Sequence, residues 1–302
     1  MSELILHHYP MSPYAELVRR ALGIKGLAWH SVMIPNVAPK PDLTPLTGGY
    51  RKTPVLQIGA DIYCDTAIII EAIEALHPAQ TLFPAPLGRA AALMALQAGG
   101  TTFSQAVGSA MAPFMDRLGT DFIEDRRKLF GMDPDRMAKV APHLLAQFRG
   151  WLARIDDTLA DGRAFLGGDA PGYADCSVAM NIWFQGNFGQ LEARLTPFPN
   201  IAAWYGRLDA LGRGMPTDMT GKAALDIAQA ATPTMKPDIA ADCALALDQP
   251  VTVRTEDPGA DIVAGRLLRC TDRAISIVRE DPRVGTVAVH FPRIGQILSP
   301  AA

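Results

Sequence analysis

Ser12, the dipeptide Thr53-Pro54 and the pair Asp65-Thr66 are the positions whose types and surroundings suit chemistry. Ser12 lies between an apolar run and the start of a helical pattern. The first turn of a helix leaves backbone N–H groups unpaired and carries partial positive charge, and a serine hydroxyl adds one more donor. Such a spot stabilises an anion, a thiolate included. A free thiol, with a pKa of about 8.5, is only slightly ionised at neutral pH without such help. A serine that merely caps the helix satisfies the same pattern. Thr53-Pro54-Val55 stands at the head of an edge-like strand. A cis X–Pro bond there holds the backbone of Thr53 open for an extended peptide, whereas a trans proline simply opens the strand. Asp65-Thr66 opens a helix after a hairpin strand. The helix start and the Thr66 hydroxyl suit a carboxylate and Asp65 suits an ammonium, the two charged groups of an amino acid; plain capping explains the pair equally.

The elements that must position these residues follow from apolar periodicity. Residues 4–9 read as a short buried strand, broken by Pro10, Ser12 and Pro13. A helix begins at Tyr14, buries Leu17, Val18, Ala21 and Leu22 on one face, and ends at Gly23 and Gly26. A second strand covers Trp29 to Ile34, and residues 35–50 form a loop. Val55–Ile58 and Asp61–Tyr63, split by Gly59-Ala60, read as a hairpin, and a helix runs from Ala67 to Leu76. Residues 1–80 thus form an α/β unit with mixed strands. After a linker at 82–88 the helical period takes over. Helices are expected near 88–118, 133–161, 173–187, 201–212 and 219–231, with no strand among them. Gly99-Gly100 should kink or split the first, and Asn200 should cap the fourth.

A second linker, 232–237, precedes a β-rich tail at 246–302. Its strands are expected at Val251–Val253, 262–270, 274–278, 286–291 and 294–298. Turns lie at Asp257–Gly259, Thr271-Asp272 and 281–285. This is a meander, or a small barrel of SH3 or Sm type, with Gly265 allowing a bend. The tail is expected to pack on the helical domain or to assist a dimer.

Composition excludes several classes. Hydrophobic residues make up 49% and charged residues 20%, a globular mix, and a formal net charge of −3 gives no pull toward nucleic acid. No apolar run suits a membrane span, and the opening MSELILHHYPMS lacks a basic leader, so the cytoplasm is the default. Cys64, Cys176, Cys243 and Cys270 are scattered, which speaks against a zinc site and a disulfide framework. Cys64 reads as a core cysteine. His7 and His8 point to opposite faces of one strand and cannot share a metal. No metal is expected.

Taken in order, the motifs resemble those of the glutathione transferase superfamily. Ser12-Pro13-Tyr14 with Val18-Arg19 is similar to the start of its serine-type, tau-like classes. Arg51-Lys52-Thr53-Pro54-Val55-Leu56, Asp65-Thr66-Ala67-Ile68-Ile69 and Gly172-Tyr173-Ala174-Asp175 resemble three further family motifs. The resemblance covers roughly residues 1–230. It implies a thioredoxin-like N-terminal domain, 1–80, and an all-helical domain, 88–232. It implies glutathione as co-substrate, a small, hydrophobic electrophile as partner, and a homodimer. Ser12 would donate to the glutathione sulfur. Thr53, before cis-Pro54, would pair with the cysteinyl backbone, with Val55 following in the strand. Asp65 and Thr66 would bind the γ-glutamyl end, Lys52 would face the glycyl carboxylate, and Asp175 would cap a buried helix. Tyr14, Phe103, Met111 and Met115 would line the second-substrate pocket, or serve the core. The pattern departs at Asp65 and Thr66, where the family carries Glu and Ser, and Ser12 in place of Cys argues against thiol-exchange chemistry. A transferase-fold protein used only for interaction is the alternative, and a glutathione-dependent isomerisation is a third variant.

Overall fold

In the computed structural model, residues 3–257 and 259–301 are described. Met1 and Ser2 of the opening segment, and Pro258 of the expected Asp257–Gly259 turn, lie outside them. The chain builds β1 (Ile5–His8), α1 (Pro13–Ile24), β2 (Ala28–Met33), α2 (Thr44–Thr47), β3 (Val55–Ile58), β4 (Asp61–Cys64) and α3 (Thr66–Leu76). This is the expected α/β unit, with the short α2 inside the loop at 35–50. β2 runs parallel to β1, and β3 antiparallel to both β1 and β4. The apolar stripe of α1 behaves as its spacing requires: Leu17, Val18, Ala21 and Leu22 are all buried.

The helical region holds α4 (Ala91–Gly99), α5 (Thr101–Met111), α6 (Thr120–Phe130), α7 (Pro134–Leu159), α8 (Tyr173–Gly186), α9 (Leu191–Leu195) and α10 (Pro199–Asp209). The long helix expected at 88–118 is split at Gly100, as the glycine pair predicts, and is flanked by 3₁₀ turns at Gly88–Ala90 and Ala112–Arg117. α6 was not expected. Its mean composition is polar, and only Asp125 and Leu129 are buried, so its apolar stripe is too thin to read. Asn200 does not cap α10. Asp156 of α7 does that work, taking the backbone N–H of Ile201 at 2.9 Å while Asn200 Nδ2 donates to Asp156 Oδ2 at 3.1 Å.

Two corrections concern the sheet. Met215–Asp218, expected to be non-strand, forms β5 and pairs in parallel with β2, ahead of α11 (Gly221–Ala230). All four of its residues are exposed, so no alternation betrays it. The second correction concerns the tail. β7 (Pro250–Thr255), β8 (Val263–Cys270), β9 (Ala274–Asp281), β10 (Gly285–Pro292) and β11 (Gln296–Pro300) form the meander, in the order β11-β7-β8-β9-β10, and the two-residue β6 (Asp238–Ile239) pairs in parallel with β8. It does not close on itself among the described residues. β10 instead pairs in parallel with β4, Val289 opposite Ile62, so that one continuous sheet runs from β11 to β5. An open edge strand carries a row of unpaired backbone groups, and β10 satisfies those of β4.

The tail therefore packs on the α/β unit and, as expected, also on the helical region, through α11. Val253, Leu267, Ile277, Val289 and Phe291 share one core with Ile34, Leu46, Val55 and Ile62, and with Leu225 and Ala228 of α11. The other large core joins α1 and α3 to α4, α7, α8 and α10. Among the described residues no helix is long and apolar enough to cross a membrane.

Candidate functional site

A cleft of about 860 Å³ opens between the α/β unit and the helices. Ser12, Lys52, Thr53, Pro54, Asp65 and Thr66 all line it. Ser12, Asp65 and Thr66 come from helix starts, and Lys52, Thr53 and Pro54 from the segment that leads into β3.

Ser12 is the N-cap of α1, 2% exposed, and its Oγ accepts the N–H of Ala15 at 3.2 Å. Capping and chemistry are compatible here. A hydroxyl accepts and donates at once, so the proton of Ser12 remains for a group in the cleft. The Thr53–Pro54 peptide is cis. Val55 heads β3, fully buried and paired with Cys64 and His7, and faces the core rather than the cleft.

Asp65 is the N-cap of α3, accepting from Ala67 N at 2.9 Å, with φ 95° and ψ 142°. That backbone region is costly for any residue with a Cβ, by about 1–3 kcal/mol, and is retained where the position serves a site. Burial raises the Asp65 carboxyl above its ordinary range, against the Ala67 N–H and Lys52, which pull it down. Thr66 follows as the first residue of the helix.

The expected pocket residues divide. Tyr14, Phe103 and Met111 line the cleft; Met115 is not part of its wall and packs with Phe184 and Ala110. The Tyr14 hydroxyl donates to Gly99 O at 2.7 Å, and its ring lies 4.6 Å from that of Phe103. Burial holds the Tyr14 phenol well above its usual range, so it stays protonated. Val107, Met132, Met137 and Phe188 extend the apolar wall.

Charge is where sequence reasoning missed most. Lys52, expected to be free for a carboxylate, is paired with Asp257 from the β7–β8 turn of the tail. Arg51 is held by Asp125 of α6 and by Asp261 of the tail at 3.0 Å, and Arg126 by Asp125. Lys40 is different. It is 5% exposed, lines the cleft, and donates to Thr53 Oγ1 at 2.9 Å, with no carboxylate partner among the described residues. Burial, with Arg126 and Arg51 nearby, pulls its ammonium down to about 8. Among the described residues no cluster of His, Cys, Asp and Glu could hold a metal ion.

Asp175 does what a buried cap requires. Its Oδ1 accepts from Leu166 N and from Trp204 Nε1, both at 2.8 Å, and its Oδ2 from Gly172 N at 2.9 Å. His7 and His8 point apart as expected, to Gln57 and to Ser31, and Cys64 is a buried core thiol.

Residues 6–81 match the family model of the glutathione S-transferase N-terminal domain, and residues 136–207 that of the glutathione S-transferase C-terminal domain. A GST-like protein from Pseudomonas syringae, known from a crystal structure, is 36% identical, covers 100% of both chains and superposes with a TM-score of 0.83. The similarity thus includes the tail. Maleylpyruvate isomerase of Ralstonia sp. is 27% identical over 217 residues, 70% of this chain and 96% of that one. A glutathione S-transferase from Methylobacterium radiotolerans, solved with glutathione sulfonate, shares the fold at 22% identity, TM-score 0.52, over 72% of this chain and 98% of that one.

Proposed function

This chain belongs to the glutathione S-transferase family, and on that premise we propose that it binds glutathione and activates it as a thiolate for attack on a small electrophile. The observation that carries the reading is the convergence on one cleft of the free Ser12 proton, the strand start at Thr53 and the α3 start at Asp65. Ser12 and the N-terminus of α1 stabilise the thiolate, as in the serine-type classes. The backbone of Thr53 pairs with the cysteinyl residue. Asp65 holds the γ-glutamyl ammonium, and the α3 N–H groups with Thr66 hold its carboxylate. Lys40, the buried cation left without a carboxylate among the described residues, receives the glycyl carboxylate in place of Lys52, which Asp257 already engages. The second substrate lies against Tyr14, Phe103 and Met111, whose apolar surfaces favour a hydrophobic electrophile.

A second reading keeps glutathione but isomerises an unsaturated acid, by addition of the thiolate, bond rotation and release of the thiolate. It is favoured by Arg117, a cation in the cleft wall with no carboxylate partner among the described residues, and by the likeness to maleylpyruvate isomerase.

Calorimetric titration of glutathione into the wild-type protein and Asp65→Ala tests the common part. Binding that weakens at least 10-fold in the variant is expected, the loss of a charge-assisted hydrogen bond of roughly 1.5–3 kcal/mol. No binding to the wild type overturns both readings. Ser12→Ala should lower turnover on the order of 100-fold with little change in melting temperature. Unchanged turnover leaves Ser12 as a cap only.

A further inference from the structure

Two cysteines that stand 27 residues apart in the chain meet in the tail. Cys243 follows β6 in a turn, and its Sγ lies 2.7 Å from Sγ of Cys270, the last residue of β8. A disulfide bond is about 2.05 Å long, so the two sulfurs are about 0.7 Å from bonding distance. The backbone already holds them there. Ile239 is in register with Cys270, Ala240 N donates to Cys270 O at 2.8 Å, and Cys243 N donates to Ala240 O at 3.0 Å. The other two thiols, Cys64 and Cys176, are fully buried in separate cores. Neither Cys243 nor Cys270 lines the cleft, so the pair stands independently of the reading above.

We propose that Cys243 and Cys270 form a thiol–disulfide exchange site that is oxidised by low-molecular-weight disulfides. Cys243 is the entering thiol because it is half-open to solvent while Cys270 is buried. Burial and the neighbouring Cys243 push the Cys270 thiol up to about 11, with Arg293 pulling the other way, so Cys270 is the slower nucleophile and acts second. Cys243 gives its proton to solvent and attacks one sulfur of the small disulfide. A mixed disulfide forms and one small thiolate leaves. Cys270 then loses its proton and attacks Sγ of Cys243, the protein disulfide forms, and the second small thiolate leaves. Two protein thiols are oxidised and one small disulfide is reduced to two thiols, so the step balances. The new bond ties the segment leading into β7 to the end of β8. Excess small thiol reverses it.

The test uses the full chain and glutathione disulfide as probe, without oxygen. The products are weighed by mass spectrometry, then alkylated in denaturant, which opens the buried Cys64 and Cys176, and digested. The expected result is a protein lighter by about 2 Da, with two of its four thiols protected from alkylation and a cross-linked peptide pair holding Cys243 and Cys270. Cys64→Ser should give the same cross-link, and Cys243→Ser should give none. Four reactive thiols in the treated wild type, or a mixed disulfide that stays on Cys243 with Cys270 free, overturns the proposal. The wild type alone carries this readout, so a variant that fails to fold does not blunt it.

Discussion

At the scale of single residues, the cleft is a set of charges, and among the described residues Lys40 alone of its basic groups near Thr53 has no carboxylate partner. Arg51, Lys52 and Arg126 each have a carboxylate partner, and these partners are Asp125, Asp257 and Asp261. Burial lowers the Lys40 ammonium from 10.5 to about 8, so the charge that is to bind a carboxylate is lost in the range where proteins are routinely assayed. The sign follows directly. Protonated Lys40 attracts the glycyl carboxylate, so affinity is full below about pH 8 and falls as pH rises through it. For folding, the protonated side chain is the costly one, and stability gains as pH rises from about 8 toward 10.5. Titration with S-methylglutathione from pH 6.5 to pH 9 (values of the assay, about one and a half units below to one above) separates this from thiol ionisation. The expected result is a loss of affinity centred near pH 8 that is absent in Lys40→Met. A flat wild-type profile sinks the role given to Lys40.

At the scale of elements, what could be read from sequence was local. Ser12, Thr53, Asp65 and Asp175 each sit at an element start whose capping and turn signals lie within a few neighbouring residues, and the structure places all four at such starts. Partners brought together by the fold were not legible. Lys52 meets Asp257 across 205 residues, and Arg51 meets Asp125 across 74, with nothing in either neighbourhood to announce it. β5 escaped for a similar reason, because an exposed strand made by pairing leaves no apolar alternation. Asp175 gives the element-scale prediction. Its carboxylate joins the turn before α8 to α10 through three buried N–H donors. Asp175→Ala strands all three and should cost roughly 3–5 kcal/mol, since each buried unpaired donor costs about 1–3 kcal/mol. The melting temperature should fall by about 5–8 °C. Asp175→Asn, which keeps a carbonyl acceptor, should cost less. Equal, small losses in both variants would show that the cap contributes little.

At the scale of the whole molecule, the tail changes what kind of object the protein is. Were 246–302 an appended barrel, the α/β unit would keep a free edge at β4 and the tail would unfold by itself. Instead β10 closes that edge, and a buried cluster stitches the seam. His290 Nε2 lies 3.0 Å from Asp61 Oδ1 and His290 Nδ1 2.8 Å from Ser276 Oγ, while Asp61 Oδ2 accepts from Thr234 N at 2.8 Å. Phe291, fully buried, sets its ring 5.9 Å from that of Tyr50, which lines the cleft on the next layer. Phe291→Ala removes that ring from a core shared by both parts, at a cost of about 3–5 kcal/mol. If tail and α/β unit fold as one body, amide exchange should quicken together in peptides spanning β10 and those spanning β3 and β4. Because Tyr50 belongs to that core and also lines the cleft, glutathione affinity should fall as well. Faster exchange confined to the tail strands, with β3 and β4 as protected as in the wild type, would mean that the seam carries no cooperativity and that the tail is an independent lobe after all.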